Sequence, residues 1–342
     1  MRRAIINGLF DIEFRLENLT RNGDPLVRLN ECVDWEVFRP ELEIIREKER
    51  KSSAGRKPFD VVLMFKVMVL QSLYNLSDDA VEYQVRDRLS FMRFLGLTIG
   101  DRVPDAKTIW LFREELGRTG LVKRLFKRFD RYLREHGFTA RKGQIVDASI
   151  VSVPIQRNSR EENTRIKEGA VPDDWSEPKR RQKDVHARWY ARPKRHAFGY
   201  KNHICVDAKH KLIRDYAVTD AAVYDSGVFG ELLDETNTSR DVWADSAYRS
   251  EDALAELKRR KYREHLQRKG CRNRKLTDWE KRGNRTRSRI RCRIEHVFGI
   301  QAQMAGNRIL RIIGIIRAEV KIGFRNLAYN IYRLGRYMPV TG

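Results

Sequence analysis

The sequence predicts an α/β chain in two parts, a helical one over residues 1–140 and a strand-containing one over 141–342. Three observations predict it. Up to about residue 140, apolar residues recur at helical spacing between polar turns. At Gly143 the pattern shortens to β-branched runs of strand length. Two of these runs, Gln144-Ile-Val-Asp147 and Val242-Trp-Ala-Asp245, are interrupted or ended by one aspartate.

Residues 34–51 read as a helix with Trp35, Val37, Phe38, Leu42, Ile44 and Ile45 apolar, stopped by the break Lys51-Ser-Ser-Ala-Gly-Arg-Lys-Pro58. Val61 to Leu76 is apolar on nearly every side, which implies burial between other helices. Ser77-Asp78-Asp79 starts the next helix as an N-cap should, and Val81, Tyr83, Val85 and Leu89 lead toward Phe91 and Phe94. Pro104-Asp105 introduces a helix over 106–116, with Ile109, Trp110 and Phe112 on its apolar side and Lys107, Thr108 and Arg113 on the other. Short helices joined by turns, the last basic and aromatic, are compatible with a helix-turn-helix reader of the DNA major groove. A packing domain whose exposed face is basic fits the same pattern. A helix over 121–136 ends before Gly137.

The strand over 144–154 follows. Residues 158–194 are rich in charge, poor in aliphatics and contain Pro172, Pro178 and Pro193, so they read as a long mobile loop. Strands over 196–206 and 211–219 are joined through Asp207–His210 as a hairpin. A helix over 221–233, a short strand over 241–245 and a helix over 250–261 come next. A helix over 286–303 carries Glu295, and two basic amphipathic stretches, 308–318 and 319–338, close the chain.

Composition narrows the partners. The 342 residues are 41% hydrophobic, enough for a core, and hold 70 Lys and Arg against 47 Asp and Glu, a formal charge of +23. Such a surplus repels itself unless a polyanion lies against it, and nucleic acid is the commonest one. An anionic membrane surface competes for that role, but no basic amphipathic anchor stands out. The charge is concentrated: Lys258 to Arg293 carries 17 Lys and Arg against Glu264, Asp278 and Glu280. Cys32, Cys205, Cys271 and Cys292 lie far apart without a CxxC pair, which argues against a zinc site or disulfide framework and fits a reducing cytoplasm. The start meets acidic residues too early for a leader's apolar core. The longest apolar run, Val61 to Leu70, contains Lys66 and falls short of the about 20 residues a membrane span needs.

Aspartate is a poor strand former, and a buried anion costs several kcal/mol unless it is paired or holds a metal. Two aspartates at the ends of neighbouring strands are placed to share divalent ions. Glu295, from a packed helix, adds a third hard oxygen donor, the set that suits Mg²⁺ or Mn²⁺. Two such ions about 3.5–4 Å apart activate an attacking oxygen and stabilise a leaving one at a phosphodiester. Phosphoryl transfer asks little else of a protein beyond positioning and charge. Taken singly, each strand aspartate also reads as a turn or cap residue. Glu295 also reads as an ordinary salt-bridged acid among arginines.

In this order the motifs resemble bacterial insertion-sequence DDE transposases of the insertion-sequence-five group. The text that carries the resemblance is Gln144-IVDASIV for the first acid, Val242-WADSAY248 for the second and Arg291-CRIEHVFG299 for the third. The stretches GYKNHICVDAKHKLIRDYAVTDAAVYDS (199–226) and RKPFDVVLMFKVMVLQSLYNLSD near the N-terminus extend it over almost the whole chain. The resemblance implies an RNase H-like catalytic domain over 141–342, a mixed sheet flanked by helices with basic C-terminal helices, preceded by a helical DNA-binding region over 1–140.

It assigns Asp147, Asp245 and Glu295 to catalysis and to two Mg²⁺ or Mn²⁺ ions. The implied reaction cuts double-stranded DNA at an element's terminal inverted repeats and joins the freed 3′-OH to target DNA. A homodimer on DNA and a cytoplasmic location, at the nucleoid when bound, are implied with it. Arg291 matches the family's Arg-x-x-x-Glu signature, one turn before the glutamate, and is placed to contact a DNA phosphate or to hold Glu295.

Two positions depart from the family pattern. Ser288 stands where a tyrosine is usual, and Ala302 where a lysine or arginine is usual; either nearby Arg289, Arg293 or Arg308 substitutes, or strand transfer is weaker. Lys107, Arg113 and Tyr248 complete the expected DNA contacts, Tyr248 by stacking, although core packing also suits it. His203 and His296 are weaker candidates. Trp243, Phe298 and Phe198 read as core. A stand-alone metal nuclease of the same fold and a non-catalytic DNA-binding regulator are the rival readings.

Overall fold

The computed structural model describes residues 10–47, 57–192, 195–272, 274–306 and 309–338. It forms two compact units, Met1–Thr119 with Asn330–Gly342, and Gly120–Tyr329. The change of periodicity at 140/141 is therefore not where the contacts divide: the helix over 121–135 belongs with the sheet. Arg214, wholly buried on a strand, joins them, its guanidinium 3.0 Å from Asp130 of that helix and 3.0 Å from Asp207.

The first unit is helical: α1 (Asp11–Arg21), α2 (Pro25–Cys32), α3 (Arg39–Glu43), α4 (Val61–Tyr74), α5 (Asp78–Asp87), α6 (Leu89–Leu95) and α7 (Ala106–Arg118). The single helix expected over 34–51 is instead α3 flanked by 3-10 turns, Trp35–Phe38 and Ile44–Arg46. Pro40, in the first turn of α3, has no N–H to continue an earlier helix and favours a fresh start. Residues 48–51, and most of the expected break after them, lie outside the described residues. α4 is buried nearly all round, with Trp35 and Phe38 packed on its Phe65. Asp60 starts it by accepting from the Val62 and Leu63 amides at 2.9 and 3.0 Å. Ser77 starts α5 by accepting from Ala80 at 3.1 Å.

The second unit contains α8 (Leu121–Glu135), β1 (Gln144–Ser152), α9 (Arg160–Lys167), α10 (Glu177–Gln182), β2 (Arg188–Arg192), β3 (Arg195–Asp207), β4 (Ile213–Asp220), α11 (Phe229–Leu232), β5 (Asp241–Ala244), α12 (Glu251–Arg259), β6 (Arg263–Leu266), α13 (Asp278–Met304) and α14 (Ile315–Tyr337) as far as Tyr329, the rest of α14 being counted with the first unit. Much of the expected loop over 158–194 is thus ordered. Ser159 and Glu162 form a capping box on α9, and Glu162 also accepts from Trp175 and Lys179 at 2.6 Å each. Asp184 is buried and takes the Tyr200 hydroxyl and the amides of His186, Ala187 and Gly314. A few buried anchors hold a segment whose average composition is polar. The helix expected over 221–233 is only a 3-10 turn, Asp225–Val228, followed by the single turn of α11.

The sheet runs β2-β3-β1-β5-β6, with β4 also paired to β3. β3 is antiparallel to β1, β4 is antiparallel to β3, and β5 and β6 run parallel to β1. Alternation gives each face its helices. Val146, Val242 and Ala244 pack against Leu232, Ala253 and Leu257 on one face. On the other, Val151 and Val153 meet Ala318 and Ile322 of α14, and α13 lies across β1 and β5. This is an α/β mixed sheet flanked by helices, the RNase H-like architecture expected. Among the described residues, no helix is long and apolar enough to cross a membrane.

Candidate active site

Parallel pairing of β1 with β5 puts Gln144 opposite Val242 and Ile145 opposite Trp243. Asp147 and Asp245 each stand two residues beyond that second pair. With strands about 4.8 Å apart, Asp147 leaves β1 toward α13, and Asp245 stands at the same level, one residue past the end of β5. Backbone amides orient each of them. Asp147 Oδ1 accepts from Ala148 at 2.9 Å, and Asp245 Oδ1 accepts from Ala247 at 2.8 Å as the cap of the turn Ser246–Tyr248.

α13 supplies the third group. Its start is fixed by a capping box between Thr277 and Glu280, and Glu280 also accepts from Arg274 at 2.8 Å. Asn284 grips the Arg268 backbone in both directions, at 2.9 and 2.8 Å. So anchored, the helix presents Arg291 and Glu295 on one face, four residues apart. Arg291 donates from Nη1 to Asp147 Oδ2 at 2.7 Å and from Nη2 to Glu295 Oε1 at 3.0 Å. The Asp147 and Arg291 side chains are 17% and 20% exposed, whereas Glu295 is 60% exposed.

Burial pushes the Asp147 carboxyl up to about 6; the Ala148 amide and Arg291 oppose this, and the charges of Asp245 and Asp225 add to it. Sequence reading passed over Asp225. It lies in the turn after β4, and its carboxylate accepts from buried Lys201 at 2.8 Å. Its only signal was an aspartate in the quoted stretch 199–226. Nothing in the spacing brought Lys201 to it.

Among the described residues, no three His, Cys, Asp or Glu side chains are gathered to hold a metal ion. What is assembled is the pair Asp147 and Asp245, with Glu295 one guanidinium away. The donors are hard carboxylate oxygens, and one of them is driven toward its neutral form by burial and by like charge. A divalent cation relieves that condition.

The remaining predicted residues fall into two groups. Lys107 and Arg289 are exposed. Lys281, Arg285, Ser288 and Arg289 line one groove along α13. By contrast, Arg113 is committed to Asp78, with both nitrogens of its fork at 2.5 and 2.6 Å. Arg293 donates to the Ala208 carbonyl at 2.8 Å. Tyr248 is fully buried against Phe229, so it offers no face for stacking on a base; its hydroxyl has no partner among the described residues. His203 is buried, with Nε2 2.9 Å from the Thr219 hydroxyl, and burial pushes it down to about 4. His296 is exposed, Phe198 is buried, and Trp243 stacks on His265 at 4.9 Å. Ser288 accepts from Gln267 at 2.7 Å, and Ala302 is exposed. Arg308 lies outside the described residues.

Residues 139–331, more than half of the chain, match the family described as the transposase DDE domain. Residues 14–115 match a second, described as a transposase domain (DUF772). A cryo-EM structure of a piggyBac transposase synaptic complex with hairpin DNA is similar at 10% identity and a TM-score of 0.46, covering 90% of this chain and 75% of that one.

Proposed function

The chain belongs to the transposase DDE family, whose members are metal-dependent DNA transposases, and from that premise we propose that Asp147, Asp245 and Glu295 are its catalytic, metal-binding carboxylates. One observation carries this reading: Asp147 on β1 and Asp245 just past the end of the parallel strand β5 stand level, beside the helix that brings Glu295. When bound, two Mg²⁺ or Mn²⁺ ions supply activation of the attacking oxygen and stabilisation of the leaving one. The protein's own part is positional. The Ala148 amide holds Oδ1 of Asp147 and the Ala247 amide holds Oδ1 of Asp245, while Arg291 occupies Oδ2 of Asp147.

In the first step, water forms a bond to phosphorus at the element's end. The bond from phosphorus to the 3′-oxygen breaks, and that oxygen takes a proton. In the second, this 3′-OH attacks a target phosphodiester, a new bond to phosphorus forms and a target 3′-OH departs. The substrate DNA is the terminal inverted repeat of an insertion sequence of the insertion-sequence-five group, held by a dimer of this chain at the bacterial nucleoid. Arg289 and the basic groove of α13 track its phosphates, and Lys107 on α7 contacts DNA from the helical region. Such contacts release counterions and make binding fall with salt.

The test is strand cleavage and joining on a labelled terminal-repeat duplex with target plasmid and Mg²⁺ or Mn²⁺. Asp147→Asn and Asp245→Asn should each abolish both products while duplex binding persists. Cleavage retained by either variant removes that residue from the site.

A further inference from the structure

We propose that Arg291 is a placeholder cation, holding Asp147 and Glu295 apart until a DNA phosphate draws it away and the carboxylates close on the ion. The inference rests on the proposed reading of Asp147 as a ligand. One guanidinium spans both acids through different nitrogens, 2.7 Å to Asp147 and 3.0 Å to Glu295. Oxygens separated by a guanidinium cannot both reach one small ion, which asks for donors at about 2.0–2.1 Å for Mg²⁺. The Arg291 fork therefore stands where a shared ion would have to sit. This accounts for two carboxylates being assembled on the sheet while the third stays outside the set.

The arrangement also contains its release. Arginine keeps its charge at every pH a protein tolerates, so protonation does not undo the bridge; only a competing anion or cation does. A phosphate is such an anion, and it suits a guanidinium fork as well as a carboxylate does. Arg291 Nε is buried and has no partner among the described residues, so the bridged position leaves one of its donors unused. Glu295 is 60% exposed and can turn once released. Cys292, the next side chain on α13, is exposed, so the helix face beside the bridge is open to a duplex. Arg291 is thus a positioning residue that couples DNA arrival to completion of the metal site.

Mn²⁺ titrated calorimetrically into the full chain tests this without reference to turnover. Removing a positive charge beside the carboxylates should make Arg291→Gln bind Mn²⁺ about tenfold more tightly than the parent without DNA. Adding a terminal-repeat duplex, with its own Mn²⁺ uptake subtracted, should tighten binding by the parent and leave Arg291→Gln nearly unchanged. Arg291→Lys, which keeps the charge but loses the fork, should fall between and serves if Arg291→Gln does not fold. Mn²⁺ affinity equal to or weaker than the parent's, in a variant whose circular dichroism is native, overturns the placeholder. Asp147→Asn separates the two ideas: if it leaves Mn²⁺ binding untouched, the ligand reading itself falls.

Discussion

Gly143 sits at the start of β1, against β5, and so governs how closely Asp147 and Asp245 approach. Its φ is +81°, its amide donates to Asn237 Oδ1 at 3.1 Å, and its carbonyl accepts from Ala208 and Asn237 at 2.9 and 2.8 Å. A Cβ placed there would lie 2.4 Å from the Trp243 ring and 2.6 Å from the Asp241 carbonyl oxygen. The ring is stacked on His265 and the carbonyl belongs to β5, so neither can yield cheaply. A left-handed L-residue costs about 1–2 kcal/mol, and overpacking adds about 1–3. Gly143→Ala should therefore lose about 2–5 kcal/mol in urea unfolding, and Mn²⁺ binding should weaken as β5 is pushed from β1. Gly169 is the control, because its φ is +85° with nothing within 4 Å of the added Cβ. Gly169→Ala should show the backbone cost alone, about 1–2 kcal/mol. If the two variants lose equal stability, close approach at β1 and β5 is not what the glycine serves.

Three further predictions concern charge. His203 is pushed down to about 4 from 6.5, so the folded state refuses a proton that the unfolded chain accepts. Its contribution is fully present above pH 6.5 and is lost as pH falls toward 4, about 3 kcal/mol across that window. His203→Gln should flatten the fall in urea midpoint between pH 7 and 4.5; an unchanged slope rejects the assignment. Arg113→Gln should cost about 1–3 kcal/mol, because it removes the charged partner of the half-buried Asp78 carboxylate and leaves it the Gln71 amide. Lys107→Gln should change stability by less than about 0.5 kcal/mol, yet weaken duplex binding and reduce its salt slope by about one. The opposite pattern would return Arg113 to the DNA surface.

Much of the site could be read locally. An aspartate at or near the end of an apolar strand marks a carboxylate that needs a partner, and Val242-Trp-Ala-Asp245 shows it within four residues. The four-residue spacing of Arg291 and Glu295 fixes a shared helix face wherever the helix lies. Caps were equally local: Ser77 and Asp105 start α5 and α7 where side-chain oxygens meet free amides. The capping box Ser159–Glu162 was legible too, but the polar average around it hid it. β6 was missed because Arg263-Glu-His-Leu266 lies inside a run of basic residues and has one fully buried side chain. Its strand state comes from pairing with β5.

What the sequence determined by itself was which residues carry charge into apolar surroundings, and on what kind of element. Periodicity and capping act over a few residues, so they are written in a short text. Only the tertiary structure decided which of those charges meet. Asp147 and Asp245 stand level because β5 enters the sheet parallel to β1, and Arg291 reaches Asp147 across 144 positions of chain. Lys201 finds Asp225, and Arg113 turns to Asp78. Arginine forks and lysines pair with whatever acid the fold brings near. Their partners, and so their availability to DNA, are properties of packing.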